Sequence, residues 1–246
     1  MRVAYACGAG FFEGDTGRGR YGISRHGEGG AMNGIDYYFW MNSDWAYLGA
    51  DKLERIAAEH QVKIRYMPVD LPDVYRRTGG QLLGNRAPER QAYRIVELKR
   101  WCWKLGIDVN PTPKFKCPNA DAASRIVIAA DRMGLGIVSL YKAILRAEWC
   151  EERDISDLAE LRRILVDQGL DVDRLLAAAD APEIETIYRR FTDEAVKAGV
   201  FGSPSYVFNN ELFWGQDRLD MLEEAIASAV GDADRSNDRN RTLAEA

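Results

Sequence analysis

The sequence holds only two histidines and four cysteines in 246 residues. Cys7, Cys102, Cys117 and Cys150 include no Cys-x-x-Cys pair and stand at no zinc spacing with His26 or His60. That excludes the dithiol redox motif and the common structural zinc sites, so no metal is expected. Without an export signal, the thiols are expected to be reduced and the protein cytoplasmic. Basic excess is missing too: 33 Lys and Arg face 38 Asp and Glu, a formal net charge of -5. No nucleic-acid partner is expected, because phosphate binding needs a Lys and Arg surplus. No membrane partner is expected either, since no apolar run approaches the ~18 residues of a spanning helix.

Glycine is abundant only at the front. Ten of the 22 Gly precede Asp36. Residues 1–34 lack amphipathic periodicity, and each Gly loses backbone entropy on ordering. Val3 to Cys7 is too short an apolar run for a signal peptide. Gly17-Arg18-Gly19-Arg20 lacks the preceding strand and following helix of a phosphate loop. Residues 1–34 are therefore expected to be disordered, or a mis-called extension with Met32 as the true start. Residues 231–246 are polar and read as a flexible tail.

From Ile35 onward the pattern is that of a packed protein. Asp36-Tyr37-Tyr38-Phe39-Trp40-Met41 has the length and composition of a buried strand. Asn42-Ser43-Asp44 are helix-start residues, and Trp45, Leu48, Gly49, Leu53 and Ile56 recur at helical spacing up to Glu59. Val62 to Pro68 alternates as a strand. From about Asp73 to Ala198 helical patterns dominate. Ala92, Ile95, Val96, Leu98 and Trp103 mark one apolar face; further helices are expected over 119–133, 138–149, 157–168, 172–179 and 182–198. Cys102 and Cys150 fall in these patterns as buried small hydrophobes. His60 reads as a solvated residue at a helix end. Pro204 to Phe208 and Glu211 to Trp214 then form a hairpin across Asn209-Asn210. A last helix is expected over Arg218 to Ala229, with Leu219, Leu222 and Ile226 on its apolar face. The order is β-α-β, a long helical segment, then β-β-α. This is an α/β thioredoxin-like fold: residues 35–72 and 199–230 form the split domain, and 73–198 form an inserted helical domain.

In such a fold the chemistry lies at the first strand–helix junction, here Ser43 to Ala46. Neither position is Cys, which excludes thiol–disulfide exchange there unless another cysteine substitutes. A hydroxyl at a helix N-terminus remains, where free N–H groups and the helix dipole favour an anion. Ser43 lacks a neighbouring base and is no nucleophile by itself. It can donate to a thiolate brought by a ligand, and lowering a thiol pKa by about one to two units corresponds to roughly 1.4–2.8 kcal/mol. The plainer reading is that Asn42 or Ser43 caps the helix. Pro204, opening a strand after Gly202-Ser203, is placed for a cis peptide, which would leave the Ser203 backbone to pair with an extended ligand. Gln216 and Asp217 stand at a helix start beside the same end of the sheet. They read as recognition of an ammonium and carboxylate pair, or Asp217 as a simple cap.

Several of these stretches carry a family resemblance. They are Ser43-Asp44-Trp45-Ala46-Tyr47-Leu48, Lys99-Arg100-Trp101, Pro118-Asn119 running to Arg125, and Leu145 to Trp149. The most specific are Gly199-Val200-Phe201-Gly202-Ser203-Pro204 and Phe213-Trp214-Gly215-Gln216-Asp217-Arg218. From about Ile35 to Ala229 the chain resembles the 2-hydroxychromene-2-carboxylate isomerases, kappa-class glutathione transferases and the DsbA-like branch of the thioredoxin superfamily. The resemblance implies glutathione as cofactor, with Ser43 holding its sulfur. It places Ser203 and the cis proline Pro204 against its cysteinyl part, and Gln216 and Asp217 at its γ-glutamyl end. It also implies a small aromatic substrate and a homodimer. The implied reaction interconverts 2-hydroxychromene-2-carboxylate and trans-o-hydroxybenzylidenepyruvate by thiolate addition, bond rotation and elimination, in aromatic-compound catabolism.

Two positions depart from the family pattern. Asp44 stands where many members have proline and adds negative charge beside the thiolate site. Gly80 stands where an asparagine helps hold glutathione, with Gln81 adjacent. Asn85, Arg86 and Arg90 lie in the same stretch and are candidates for a substrate or glycyl carboxylate, or for a solvated basic face. The expected function is thus a glutathione-dependent isomerase, with a kappa-like transferase and a non-catalytic thioredoxin-fold binding protein as alternatives. The leader expectation is testable: mass spectrometry of the native protein should find no abundant peptide spanning Gly22–Arg25, and finding one overturns Met32 as the start.

Overall fold

The computed structural model describes residues 34–230; the expectations for residues 1–31, Cys7, His26 and the tail lie outside them. Strand β1 (Ile35–Phe39) leads into helix α1 (Asp44–Glu59) and strand β2 (Ile64–Pro68). Helices α2 (Leu71–Thr78), α3 (Pro88–Leu105), α4 (Asp121–Arg132), α5 (Ile137–Trp149), α6 (Leu158–Asp167), α7 (Val172–Ala179) and α8 (Pro182–Lys197) follow. Strands β3 (Ser205–Phe208) and β4 (Glu211–Trp214) complete a sheet of order β2-β1-β3-β4. A helix over residues 219–230, α9, comes last. β1 pairs parallel with β2 and antiparallel with β3, and β3 pairs antiparallel with β4. This is the thioredoxin-like topology expected from the element order. Among the described residues no helix is long and apolar enough to cross a membrane.

The aromatic run of β1 is central because both its faces are covered. Tyr37 stacks on Phe39 with ring centroids 4.4 Å apart and on Tyr206 of β3 at 5.2 Å. Such offset pairs add to the burial of large apolar surfaces. The inserted helices share this core. α4 and α8 pack on β2, and α5 packs on α1. A single cluster of buried side chains runs from Ile35 through Leu140, Ile164 and Phe191 to Ile226.

Three expectations fail locally. Val62 does not open β2; its N–H donates to Ala57 at 2.9 Å, within the turn that ends α1. The expected apolar face of α3 does not form. Of its marked residues only Leu98 is fully buried, while Val96 is 43% and Trp103 87% exposed. The opposite stripe of α3, including Arg90, Arg94 and Trp101, lines a cavity, so this helix serves as a wall and gains little core burial. Cys102 and Cys150 are likewise only partly buried. The Cys150 thiol donates to the Asp108 carbonyl at 3.0 Å, as a weak donor at a helix end can. His60 does cap α1, 3.8 Å from Glu223.

Two stability measurements follow. A Cβ at Gly49 would lie 2.8 Å from the Gln216 Cβ and 3.0 Å from the Tyr206 hydroxyl, whereas one at Gly84 would meet nothing within 4 Å. Gly49→Ala should therefore lose about 1–3 kcal/mol in urea unfolding, and Gly84→Ala should stay within about 0.5 kcal/mol of wild type. Glu148 of α5 is fully buried, and one oxygen accepts the Cys117 N–H at 3.3 Å. Burial pushes its carboxyl up to about 9. The folded chain then keeps a proton that the unfolded chain releases near pH 4.3, so this group makes stability fall as pH rises between about 4.3 and 9. Glu148→Gln keeps the acceptor without the charge. It should flatten that slope, which for one group reaches about 1.4 kcal/mol per pH unit.

Candidate active site

Ser43 sits where β1 hands over to α1. Its backbone is extended, and its hydroxyl oxygen accepts the Ala46 N–H at 3.2 Å as the helix N-cap. The same hydroxyl donates to the Ser203 carbonyl at 3.3 Å. Ser203 in turn accepts the Trp40 N–H at 2.8 Å on its own hydroxyl, and the Ser203–Pro204 peptide is cis. The Gly215 N–H donates to Pro204 at 2.9 Å, which ties the loop before α9 to the same point. The β1–α1 junction and the two ends of the β3–β4 hairpin, some 160 residues on, thus meet at one end of the sheet. Ser203's own N–H donates to no backbone carbonyl among the described residues.

Gly202 allows the approach. A Cβ there would fall 2.3 Å from the Trp214 indole nitrogen, so a side chain at this position would push Trp214 off the site. Trp214 is half exposed and packs against Phe201 with centroids 4.7 Å apart.

A cavity of about 520 Å³ opens beside this junction. Its walls bring together Arg86, Arg90, Ser203, Gln216 and Asp217, five of the residues singled out from the sequence. Gln216 is buried on a short 3-10 turn packed on α1. Asp217 is exposed, caps no helix and pairs with Arg218 at 3.1 Å. Ser43 lines a second, smaller cavity of about 110 Å³, which shares Arg86, Arg94, Ser203 and Trp214 with the first. Pro204 is buried behind Ser203. Asn85 is exposed on the short turn Leu83–Asn85 and lines neither cavity.

Sequence reasoning missed Arg94 and Tyr75. Asp44 does point inward and is buried, but its carboxylate is bound by the Arg94 guanidinium and also accepts the Trp45 N–H at 3.0 Å. Burial raises the Asp44 carboxyl and Arg94 opposes that rise. The charge expected to oppose a thiolate is therefore balanced by a cation from α3. Arg94 also lies over the Trp149 ring, 5.4 Å from its centroid. The available signal was the helical spacing of Arg90, Arg94, Glu97 and Trp101, which all face the larger cavity. Tyr75 of α2 lines the smaller cavity with Ser43, and burial raises its phenol. Cys117 lines it too, with burial raising its thiol to about 11, so it is a poor candidate for the missing redox cysteine.

The donor set can be matched to glutathione by its chemistry. An extended tripeptide needs a backbone partner, an anionic group for its ammonium and cationic groups for its carboxylates. Ser203, Asp217 and the Arg86, Arg90 and Arg218 guanidinium groups supply these around one cavity of ligand size. The residues present fit the group.

Comparison with known proteins agrees with the topology. The profile of the DsbA-like thioredoxin domain matches residues 34–227. A protein of Sphingobium xenophagum named 2-hydroxychromene-2-carboxylate isomerase is 30% identical over 193 residues, covering 78% of this chain and 97% of the relative. A Caenorhabditis elegans protein named glutathione S-transferase kappa 2 is 22% identical over 205 residues, covering 78% and 91%. A solved structure of a 2-hydroxychromene-2-carboxylate isomerase superposes with a TM-score of 0.66 at 26% identity, covering 83% of this chain and 98% of that one. The chain belongs to the DsbA-like thioredoxin domain family and, within it, to the 2-hydroxychromene-2-carboxylate isomerase family.

Proposed function

We propose that this protein is a glutathione-dependent isomerase of the 2-hydroxychromene-2-carboxylate type, acting on an aromatic-degradation intermediate. The observation that carries the reading is the position of Ser43. A hydroxyl, not a thiol, caps α1 and touches Ser203, which lines both the small cavity around Ser43 and the larger one of tripeptide size. The isomerase relatives support the reaction class. Bound glutathione would supply a thiolate able to add to, and leave, a conjugated double bond.

The protein's own residues have distinct tasks in this reading. The Ser43 hydroxyl turns from the Ser203 carbonyl to donate to the sulfur, and the α1 N-terminus favours its negative charge. Arg94 neutralises Asp44, so the first turn presents no net negative charge to the anion. The Ser203 N–H and carbonyl pair with the extended peptide, as an added strand would. Gln216 and Asp217 hold the ammonium end. Arg86 and Arg90 meet carboxylates of the peptide or the substrate.

The kappa-class relative favours a second reading, irreversible conjugation of glutathione to an electrophile. Two measurements separate the readings. Calorimetric titration should show wild type binding glutathione at millimolar concentration, with Ser43→Ala raising the pKa of the bound thiol by about one to two units. Isomerisation of trans-o-hydroxybenzylidenepyruvate should then proceed without net loss of thiol. Stoichiometric thiol loss would favour the transferase, and absence of glutathione binding by wild type would overturn both.

A further inference from the structure

Helix α2 ends at Gly79, whose φ of 81° lies in the left-handed region that glycine adopts freely. The chain then turns so that Gly80 lies against the Tyr75 ring. A Cβ at position 80 would fall 2.1 Å from Tyr75 Cδ1 and 2.6 Å from Cγ. Any other residue there must push the ring aside, so the absence of a side chain at 80 and the placement of Tyr75 are one structural fact. The ring lines the cavity that also contains Ser43.

The phenol is braced from the other side. Arg86 Nη2 donates to the Tyr75 oxygen at 3.3 Å, and Arg86 Nε is anchored on the Gln81 carbonyl at 2.9 Å. Arg86 has no carboxylate partner among the described residues. A phenol oxygen that accepts one hydrogen bond still has its own proton to donate. The result is a neutral donor backed by a cation, in the cavity that it lines together with the hydroxyl-capped helix end. Hydrogen-bond donors fixed in advance in such a place are worth most where charge appears during a reaction.

We propose that Tyr75, seated by Gly80 and braced by Arg86, is the hydrogen-bond donor of this site to the oxygen on which negative charge develops. The inference rests on the isomerase reading and adds a residue role to it. Bound glutathione would supply sulfur to the far carbon of a conjugated double bond; the alkene pair would then form a bond to the carbonyl carbon, and the carbonyl π pair would pass to its oxygen. Tyr75 O–H hydrogen-bonds that oxygen without losing its proton, and the Arg86 charge acts through the phenol. The former double bond is then single and rotates. In the reverse step the oxygen pair would re-form the carbonyl, the carbon–carbon double bond would re-form, and the carbon–sulfur pair would leave with sulfur, so no oxidant or reductant is consumed. An aryl halide brings no carbonyl oxygen to Tyr75.

The first test needs no glutathione. The probe is para-nitrophenol, whose phenolate has its own visible absorption band and carries its charge on an aromatic oxygen. Wild type should bind the phenolate in preference to the neutral phenol and lower the pKa of the bound probe. Tyr75→Phe should weaken phenolate binding about tenfold and leave binding of the neutral form unchanged. Gly80→Ala keeps the hydroxyl but displaces the ring, and should have the same effect. With trans-o-hydroxybenzylidenepyruvate and glutathione, kcat of Tyr75→Phe should fall about a hundredfold at unchanged glutathione affinity. Equal phenolate binding by wild type and Tyr75→Phe, or none by wild type, overturns the assignment. Because the probe titration is independent of glutathione, its result stands apart from failure of the isomerase reading, which shows as absence of glutathione binding.

Discussion

The hydrogen bond from the Ser43 hydroxyl to the Ser203 carbonyl joins positions 160 residues apart. Everything else at the site is arranged about it. β1 must end at Phe39 and α1 begin at Asp44 for Ser43 to point along the helix axis. The antiparallel pairing of β1 with β3 must hold its register for Ser203 to arrive opposite. A one-residue slip of β3 would reverse its faces, burying polar groups and exposing Tyr206 and Phe208. The aromatic stack of Tyr37, Phe39 and Tyr206 sits directly beneath and opposes such a slip. The site's geometry is therefore set by core packing, and the same stack that stabilises the sheet positions the chemistry.

The inserted helices supply what the sheet cannot. A thioredoxin-like core presents a helix end and a loop, which suffice to bind an extended peptide but leave the anion open to water. α2, α3 and the segment between them add Tyr75, Arg94 and Arg86 as walls. This explains why α3 lacks a conventional apolar stripe. Its inner face is spent on Arg94 and its neighbours, and a buried ion pair with Asp44 is costly to desolvate. Arg94 offsets part of that cost by also lying over Trp149. Truncating either partner alone would strand the other charge, so Asp44 and Arg94 are interdependent.

Most of the fold is legible in the sequence because it rests on local periodicity. The β1 aromatic run, the Ser43 cap, the Asn209-Asn210 turn and the apolar face of α9 are each written within a few residues. Asn209 and Asn210 do take left-handed conformations, with φ of 50° and 65°. The part of the candidate site formed by Ser203, Gln216 and Asp217 is legible for the same reason, since these residues stand in short motifs. Arg94 and Tyr75 were not. Each acquires its place only when a distant helix packs, and nothing within four residues of Arg94 shows that it will meet Asp44. Val96 and Trp103 misled in the opposite sense, because apolar spacing alone does not reveal which face of α3 meets the core.

The choice of oxygen over sulfur at position 43 has a further consequence. A cysteine at the start of α1 would have its thiolate stabilised by the same helix end, and any disulfide ligand reaching Ser203 would be open to attack. A serine hydroxyl at that position has a proton too tightly held to make it a nucleophile without a base, and among the described residues no histidine lines its cavity. In the proposed reading it donates to an incoming anion and leaves it unbonded. Cys117, the thiol that does line the cavity, is held in the unreactive protonated form by burial. The fold keeps the electrostatic half of the redox site and discards the covalent half. Reversible addition requires this combination, because an anion held by hydrogen bonds alone can leave the protein and the substrate unchanged in oxidation state.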